Sequence, residues 1–199
     1  MSEGHLHDEH MKVCIDPLAL SQFTFTGYAT YALALLNHLP LVSDKDEFVV
    51  FVPSLKEPWL EALHPHPRLR LRETPQMTRR FWWKAVGVGL AAKKENADVL
   101  FIPVTRIPFL RACPTVCVVH DLGFLSLPTY LQVGSHYKTK YGARMAVEKA
   151  DRIITVSGEI KRQAVEHYSV PQEKIVVVHL GFDHKVFNDA PVTDKERQI

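Results

Sequence analysis

Thr115-Val116-Cys117-Val118-Val119-His120-Asp121 is the stretch whose reading decides the fold. Its Val- and Cys-rich run breaks off abruptly at a His-Asp pair. A short apolar run without alternation reads as a strand buried on both faces, as in a parallel sheet. Polar groups just past the carboxyl end of such a strand lie where open α/β sheets place their ligands. Downstream, Arg152-Ile153-Ile154-Thr155-Val156 repeats the pattern and ends at Ser157.

Working outward, strands are expected at Lys12–Asp16, Glu47–Val52, Val99–Ile102, Asp151–Ser157 and Lys174–Val178. Leu69 and Leu71 alternate with Arg68, Arg70 and Arg72, the pattern of a half-exposed edge strand. Helices are expected at Tyr28–Leu39, closed by Pro40, and at Lys56–Leu63, Arg79–Lys94, Gly134–Ala150 and Gly158–Tyr168. Pro17 to Thr26 reads as a loop. Strand and helix alternate almost throughout, so the fold class is α/β with a mostly parallel sheet, three layers deep.

Composition narrows the function. A chain of 199 residues, 46% hydrophobic and 23% charged, is an ordinary globular protein with room for a real core. A net charge of +2 makes no case for nucleic acid or an anionic membrane. Cys14, Cys113 and Cys117 form neither an even disulfide framework nor a CxxC pair. They read as reduced thiols of a cytoplasmic protein, with no zinc site. No segment has the apolar length of a transmembrane helix. Residues 1–10 read as a disordered polar leader, whose histidines and acids are better explained as a solvated tail than as a metal site. After Gly181-Phe182-Asp183 the chain turns polar, and residues 184–199 read as the start of a linker or tail.

Several motifs occur together in one order. Val116 to Leu125 is followed by Pro128 and Tyr130; Ala150-Asp151-Arg152-Ile153-Ile154-Thr155-Val156-Ser157 is followed by Lys161-Arg162; Val170 to Val178 leads to Gly181-Phe182-Asp183. With Phe81-Trp82-Trp83 and Ala97-Asp98-Val99-Leu100, they resemble the N-terminal domain of family 4 glycosyltransferases of the GT-B fold. The resemblance runs from about Met11 to Asn188 and is most specific in the second half. It implies a Rossmann-like domain over residues 11–183 that binds the acceptor of a retaining enzyme. Such an enzyme moves a sugar from a nucleotide sugar to an acceptor hydroxyl. The resemblance further implies a partner domain that binds the donor and is missing from this sequence, a carbohydrate or lipid-linked acceptor, no divalent metal, and no cofactor beyond the nucleotide sugar as substrate. The chain departs from the family at two places. Thr24-Phe25-Thr26-Gly27-Tyr28 has one glycine where the family has Gly-x-Gly, and Leu180 stands where an Asn is frequent. These departures suit the alternative, a non-catalytic binding or regulatory module derived from such a domain.

Each candidate residue has two readings. By the resemblance, His120 is the catalytic candidate and touches the donor sugar; otherwise it caps a strand. Asp121 orients His120 or binds an acceptor hydroxyl, or it makes an Asx turn. Thr26, Gly27 and Tyr28 precede a helix, where an anion or sugar oxygen is favoured and where Thr26 is also a natural N-cap. Arg106 and Ser157 follow predicted strands and are expected at the same sheet edge; for Ser157, capping the next helix is the simpler role. Arg79, Arg80, Trp82, Trp83 and Lys84 form a basic-aromatic cluster. A helix that packs its tryptophans on the sheet is preferred for it over contact with a membrane.

Overall fold

The computed structural model describes residues 10–22, 26–125, 133–182 and 184. Seven strands form one sheet in the order β3-β2-β1-β4-β5-β6-β7: β1 Lys12–Ile15, β2 Glu47–Val52, β3 Leu69–Glu73, β4 Val99–Ile102, β5 Thr115–Val119, β6 Arg152–Thr155 and β7 Ile175–Val177. Every pairing is parallel. Val13, Val50, Val99, Val118, Ile154 and Val176 all lie in this sheet, and the Arg-Leu strand is at its edge. The helical segments are α1 Leu18–Gln22, α2 Gly27–Val42, α3 Arg80–Trp82, α4 Val88–Lys94, α5 Val133–Lys149 and α6 Gly158–Tyr168, with a π turn, Trp83–Gly87, joining α3 to α4.

Alternation along the central strands feeds two faces. Ile15, Val50, Val52, Phe101 and Val118 pack with Ala29, Ala32 and Leu36 of α2. Cys14, Val49, Phe51, Leu100 and Ile102 point the other way, onto Trp83, Val88 and Ala92. Beyond β4 that second face continues as Cys117, Val119 and Ile153 packed with Ala143, Ala146 and Val147 of α5. Burial on both sides explains why these strands read as continuous apolar runs.

The two Ala-Asp dipeptides have one structural job. Asp98 donates its N–H to the Lys12 carbonyl (3.0 Å), and its carboxylate accepts the Lys12 N–H (2.7 Å). Asp151 does the same with Thr115, at 2.9 and 2.8 Å. Each Asp pairs a strand start that would otherwise be left open. At the far end of α5, Lys174 Nζ donates to the free carbonyls of Val147 (3.0 Å) and Glu148 (2.7 Å), as a cation near a helix C-terminus does.

Some expectations need correction. Pro40 lies inside α2, which runs on to Val42. A proline in the last turn forfeits one intrahelical bond where few remain to be lost. The expected loop after β1 contains α1, and the expected helix at Lys56–Leu63 is a 3₁₀ turn, Pro58–Ala62. The Arg79–Lys94 helix is interrupted by the π turn. There the Trp82 ring folds across Gly87, where an added Cβ would lie 2.3 Å from it. Of the two tryptophans, only Trp83 packs on the sheet, edge-on to Phe51 at 5.6 Å; Trp82 is 42% exposed. The expected leader and linker lie outside the described residues except for His10, whose ring meets the Lys45 carbonyl at 2.7 Å, and His184.

Candidate functional site

At the carboxyl edge of the sheet a cleft of about 350 Å³ opens between the start of α2, the end of β5 and the end of β6. Thr26, Gly27, Tyr28, Tyr31, His120, Val156 and Leu180 line it. Four of the expected site residues therefore meet: Thr26, Gly27, Tyr28 and His120. The helix brings its N-terminus there. Thr26 is extended and caps α2, its hydroxyl accepting from Ala29 N at 3.4 Å. A Cβ at Gly27 would meet nothing within 4 Å, so the space in front of this turn is open.

His120 is held from three sides. Its Nε2 lies 3.0 Å from the Pro103 carbonyl. A carbonyl can only accept, so Nε2 carries the proton, and in the neutral ring Nδ1 is an acceptor. Tyr28 and Tyr31 stand edge-on to the imidazole, with centroids at 4.9 and 4.7 Å. Burial lowers the His120 pKa below its ordinary value, with the Pro103 hydrogen bond opposing. The neutral ring is therefore favoured. Burial also raises the Tyr31 phenol pKa.

The remaining candidates sit differently. Ser157 is extended, and its hydroxyl accepts from Ile160 N at 3.3 Å, capping α6; its neighbour Val156 is the residue that reaches the cleft. Asp121 forms an Asx turn, accepting from Gly123 N at 2.5 Å. The two side chains thus take their simpler structural roles. Arg106 does not line the cleft; its Nη2 donates to Asp16, while its Nη1 is buried without a partner. Asp16 is buried at the end of β1 and also accepts from Trp83 Nε1 at 3.2 Å and Leu18 N at 3.2 Å. This pair ties the loop after β4 to β1. That loop begins at Pro103, the acceptor for His120.

Sequence reasoning missed Tyr31, Val156 and Leu180 as cleft residues. Tyr31 follows Tyr28 by three positions, which places both on one helix face. A second concavity, of about 280 Å³, lies elsewhere, between the end of β3 and Trp82, Leu90 and Lys94. Among the described residues no group of three or more His, Cys, Asp or Glu could hold a metal ion, and no helix is long and apolar enough to cross a membrane.

The model of Glycosyltransferase Family 4 matches residues 25–186, most of the chain and all of this cleft. The chain belongs to glycosyltransferase family 4. Solved structures share the fold of this family 4 domain. A glycosyltransferase from Rickettsia africae superposes with a TM-score of 0.51 at 13% identity, over 96% of this chain and 48% of that one. The lipopolysaccharide outer core galactosyltransferase WaaB gives 0.52 at 15%, over 85% and 45%. HepE from Anabaena, in complex with UDP and glucose, gives 0.51 at 14%, over 92% and 47%. The family 4 domain thus spans about half the length of these neighbours. Among curated proteins, none matches it.

Proposed function

We propose that the chain is the acceptor-binding N-terminal half of a retaining glycosyltransferase, which moves a sugar from a nucleotide sugar to an acceptor hydroxyl. The observation that carries this reading is the His120 imidazole set edge-on against two tyrosine rings, beside the N-terminus of a sixteen-residue helix. Aromatic walls suit the C–H faces of a sugar. His120 Nδ1 accepts a sugar hydroxyl, and the positive end of α2 favours the negative charge of a diphosphate. In the reaction the bond from the anomeric carbon to the phosphate oxygen breaks. The acceptor oxygen then bonds to that carbon on the same face, and its proton passes to the departing phosphate. This half holds the acceptor and shields the cationic centre, while a donor-binding partner domain stabilises the leaving group. Three free thiols, two of them fully buried, fit a reducing, cytoplasmic setting.

The isolated chain is expected to show no turnover. Joined to the donor domain of a family 4 enzyme, it should release nucleotide and glycosylate an acceptor, read by mass spectrometry. In that assembly His120→Ala should lower transfer by roughly one to three orders of magnitude. An unchanged rate in a folded variant would return His120 to strand capping. Leu180, apolar, 56% exposed and lining the cleft, favours the alternative of a non-catalytic binding module. That reading predicts sugar binding with no transfer in any assembly.

A further inference from the structure

The second concavity, of about 280 Å³, shares no lining residue with the His120 cleft. Its lining comes from the carboxyl end of β3, the turn after it and the helical stretch from Trp82 to Glu95, with Phe51 of β2. The π turn shapes it. There the six-membered ring of Trp82 lies against Gly87, where a Cβ would sit 2.3 Å from Cζ3 and 2.7 Å from Cε3. Only glycine leaves room for that ring, and single π turns of this kind recur at functional sites. Trp82 is thereby held in place and yet 42% exposed, and Leu90, which lines the same hollow, is 44% exposed. Trp83, at 1%, belongs to the core, so the pair divides into one packing residue and one preformed aromatic wall.

Polar groups of every hydrogen-bonding kind stand around that wall. Gln76 is exposed and offers a carboxamide, donor and acceptor together. Arg72 gives its Nε to Glu95 Oε1 at 3.1 Å, which leaves its Nη ends to donate. Glu73 Oε1 accepts from Leu55 N at 3.2 Å, which leaves Oε2 to accept. The charges balance: Arg72 and Lys94 line the hollow against Glu73 and Glu95, and Glu95 is tied further to Arg70 at 2.5 Å. Such a lining has no net attraction for an ion, so it does not select a nucleotide or another polyanion. A ring with apolar C–H faces and hydroxyls around its edge matches both the indole and the mixed donors and acceptors. At about 280 Å³ the hollow is at the small end of ligand sites, roughly 300–1,000 Å³, and takes one sugar residue.

We propose that the Trp82 hollow is a second, non-catalytic site that binds one residue of a neutral oligosaccharide. Because the remaining residues of such a chain stay in solvent, the hollow acts as an anchor. An anchored glycan keeps its other residues at a raised effective concentration around the domain. The site stands whether or not the cleft transfers a sugar.

Titration of the whole chain with maltohexaose, cellohexaose and mannohexaose tests this. At least one should bind saturably with a Kd of about 1 mM, the scale of one sugar ring in a shallow site, and equally in low and high salt. Trp82 is the one exposed tryptophan, Trp59 and Trp83 being 7% and 1% exposed, and the cleft lining holds none, so intrinsic fluorescence reports this hollow. Saturation-transfer NMR observed on the sugar reads the variants. Trp82→Ala should weaken binding about tenfold or more, and Trp82→Tyr should restore it to within about threefold. Gln76→Ala should weaken it about threefold at an unchanged thermal melt, because the side chain is already in water. Binding of none of the three oligomers, or binding unmoved by Trp82→Ala, overturns the proposal; if Trp82→Ala does not fold, an unchanged affinity in Gln76→Ala overturns it instead. Binding that falls with Tyr28→Ala and not with Trp82→Ala would place the sugar in the cleft and overturn it too. So would a preference for a sulfated oligosaccharide that is lost in high salt, which would make the hollow an anion site.

Discussion

Asp16→Ala should be the most damaging single polar change in this domain. The carboxylate is buried and gathers three donors: Leu18 N, Trp83 Nε1 and the Arg106 guanidinium. Its removal leaves a guanidinium whose side chain is only 15% exposed, with Nη1 already unpartnered, and no counter-charge. Breaking a buried pair from one side costs about 3–5 kcal/mol, and the orphaned indole N–H adds to the upper end. Against a domain stability of about 5–15 kcal/mol, that is a large fraction. Urea titration followed by circular dichroism reads it as a lower midpoint at unchanged slope. Asp16→Leu combined with Arg106→Met removes both charges and fills the space with carbon. It should recover the part of the loss that comes from the isolated charge, the remainder being the Leu18 and Trp83 N–H groups left without an acceptor, about 1 kcal/mol or more each. A loss below about 1 kcal/mol for Asp16→Ala would refute the reasoning. So would a double variant no more stable than the single one, because the penalty would then not come from an isolated buried charge.

Three other outcomes are expected. Burial lowers the His120 pKa in the fold, so between the folded and unfolded values the unfolded chain binds more protons. His120 therefore subtracts no stability above the ordinary histidine pKa of about 6.5 and progressively more as pH falls below it. The stability gap between the parent and His120→Asn should narrow on acidification, and a gap constant from neutral to acidic pH would contradict the burial argument. Cys14 and Cys117 are buried, with thiol pKa values pushed up to about 12, whereas Cys113 is half-buried. Under native conditions at mild alkaline pH, iodoacetamide should therefore label Cys113 first and the other two only on unfolding, as peptide mass mapping would show. Gly89→Ala places a methyl against the Leu110 carbonyl, a backbone atom that cannot swing aside. It should cost about 1–3 kcal/mol in urea and speed amide exchange at Phe109 and Leu110. Wild-type protection at both amides would show that the loop does not rest there.

Much was determined by the sequence alone. The runs at Val49–Val52, Val116–Val119 and Ile153–Thr155 carry no alternation, because both faces of a central parallel strand are covered. Only a sheet with helices on both sides gives that, so the α/β class, the strands and the edge position of Leu69–Glu73 were all legible. The gathering of Thr26, Gly27, Tyr28 and His120 was legible too, since residues after parallel strands and before helices share one edge by topology. What an individual side chain does at that edge was decided by tertiary structure. Periodicity does not say that Arg106 turns to Asp16, ninety residues away in sequence, or that His120 Nε2 donates to Pro103. Nor does it give the choice between Trp82 and Trp83. Both are adjacent, large and apolar, and along the π turn one is seated edge-on to Phe51 while the other folds across Gly87, partly exposed. Pattern reports which face of an element is buried. The partner each polar group finds is a contact between distant segments, and it exists only once the loops have packed.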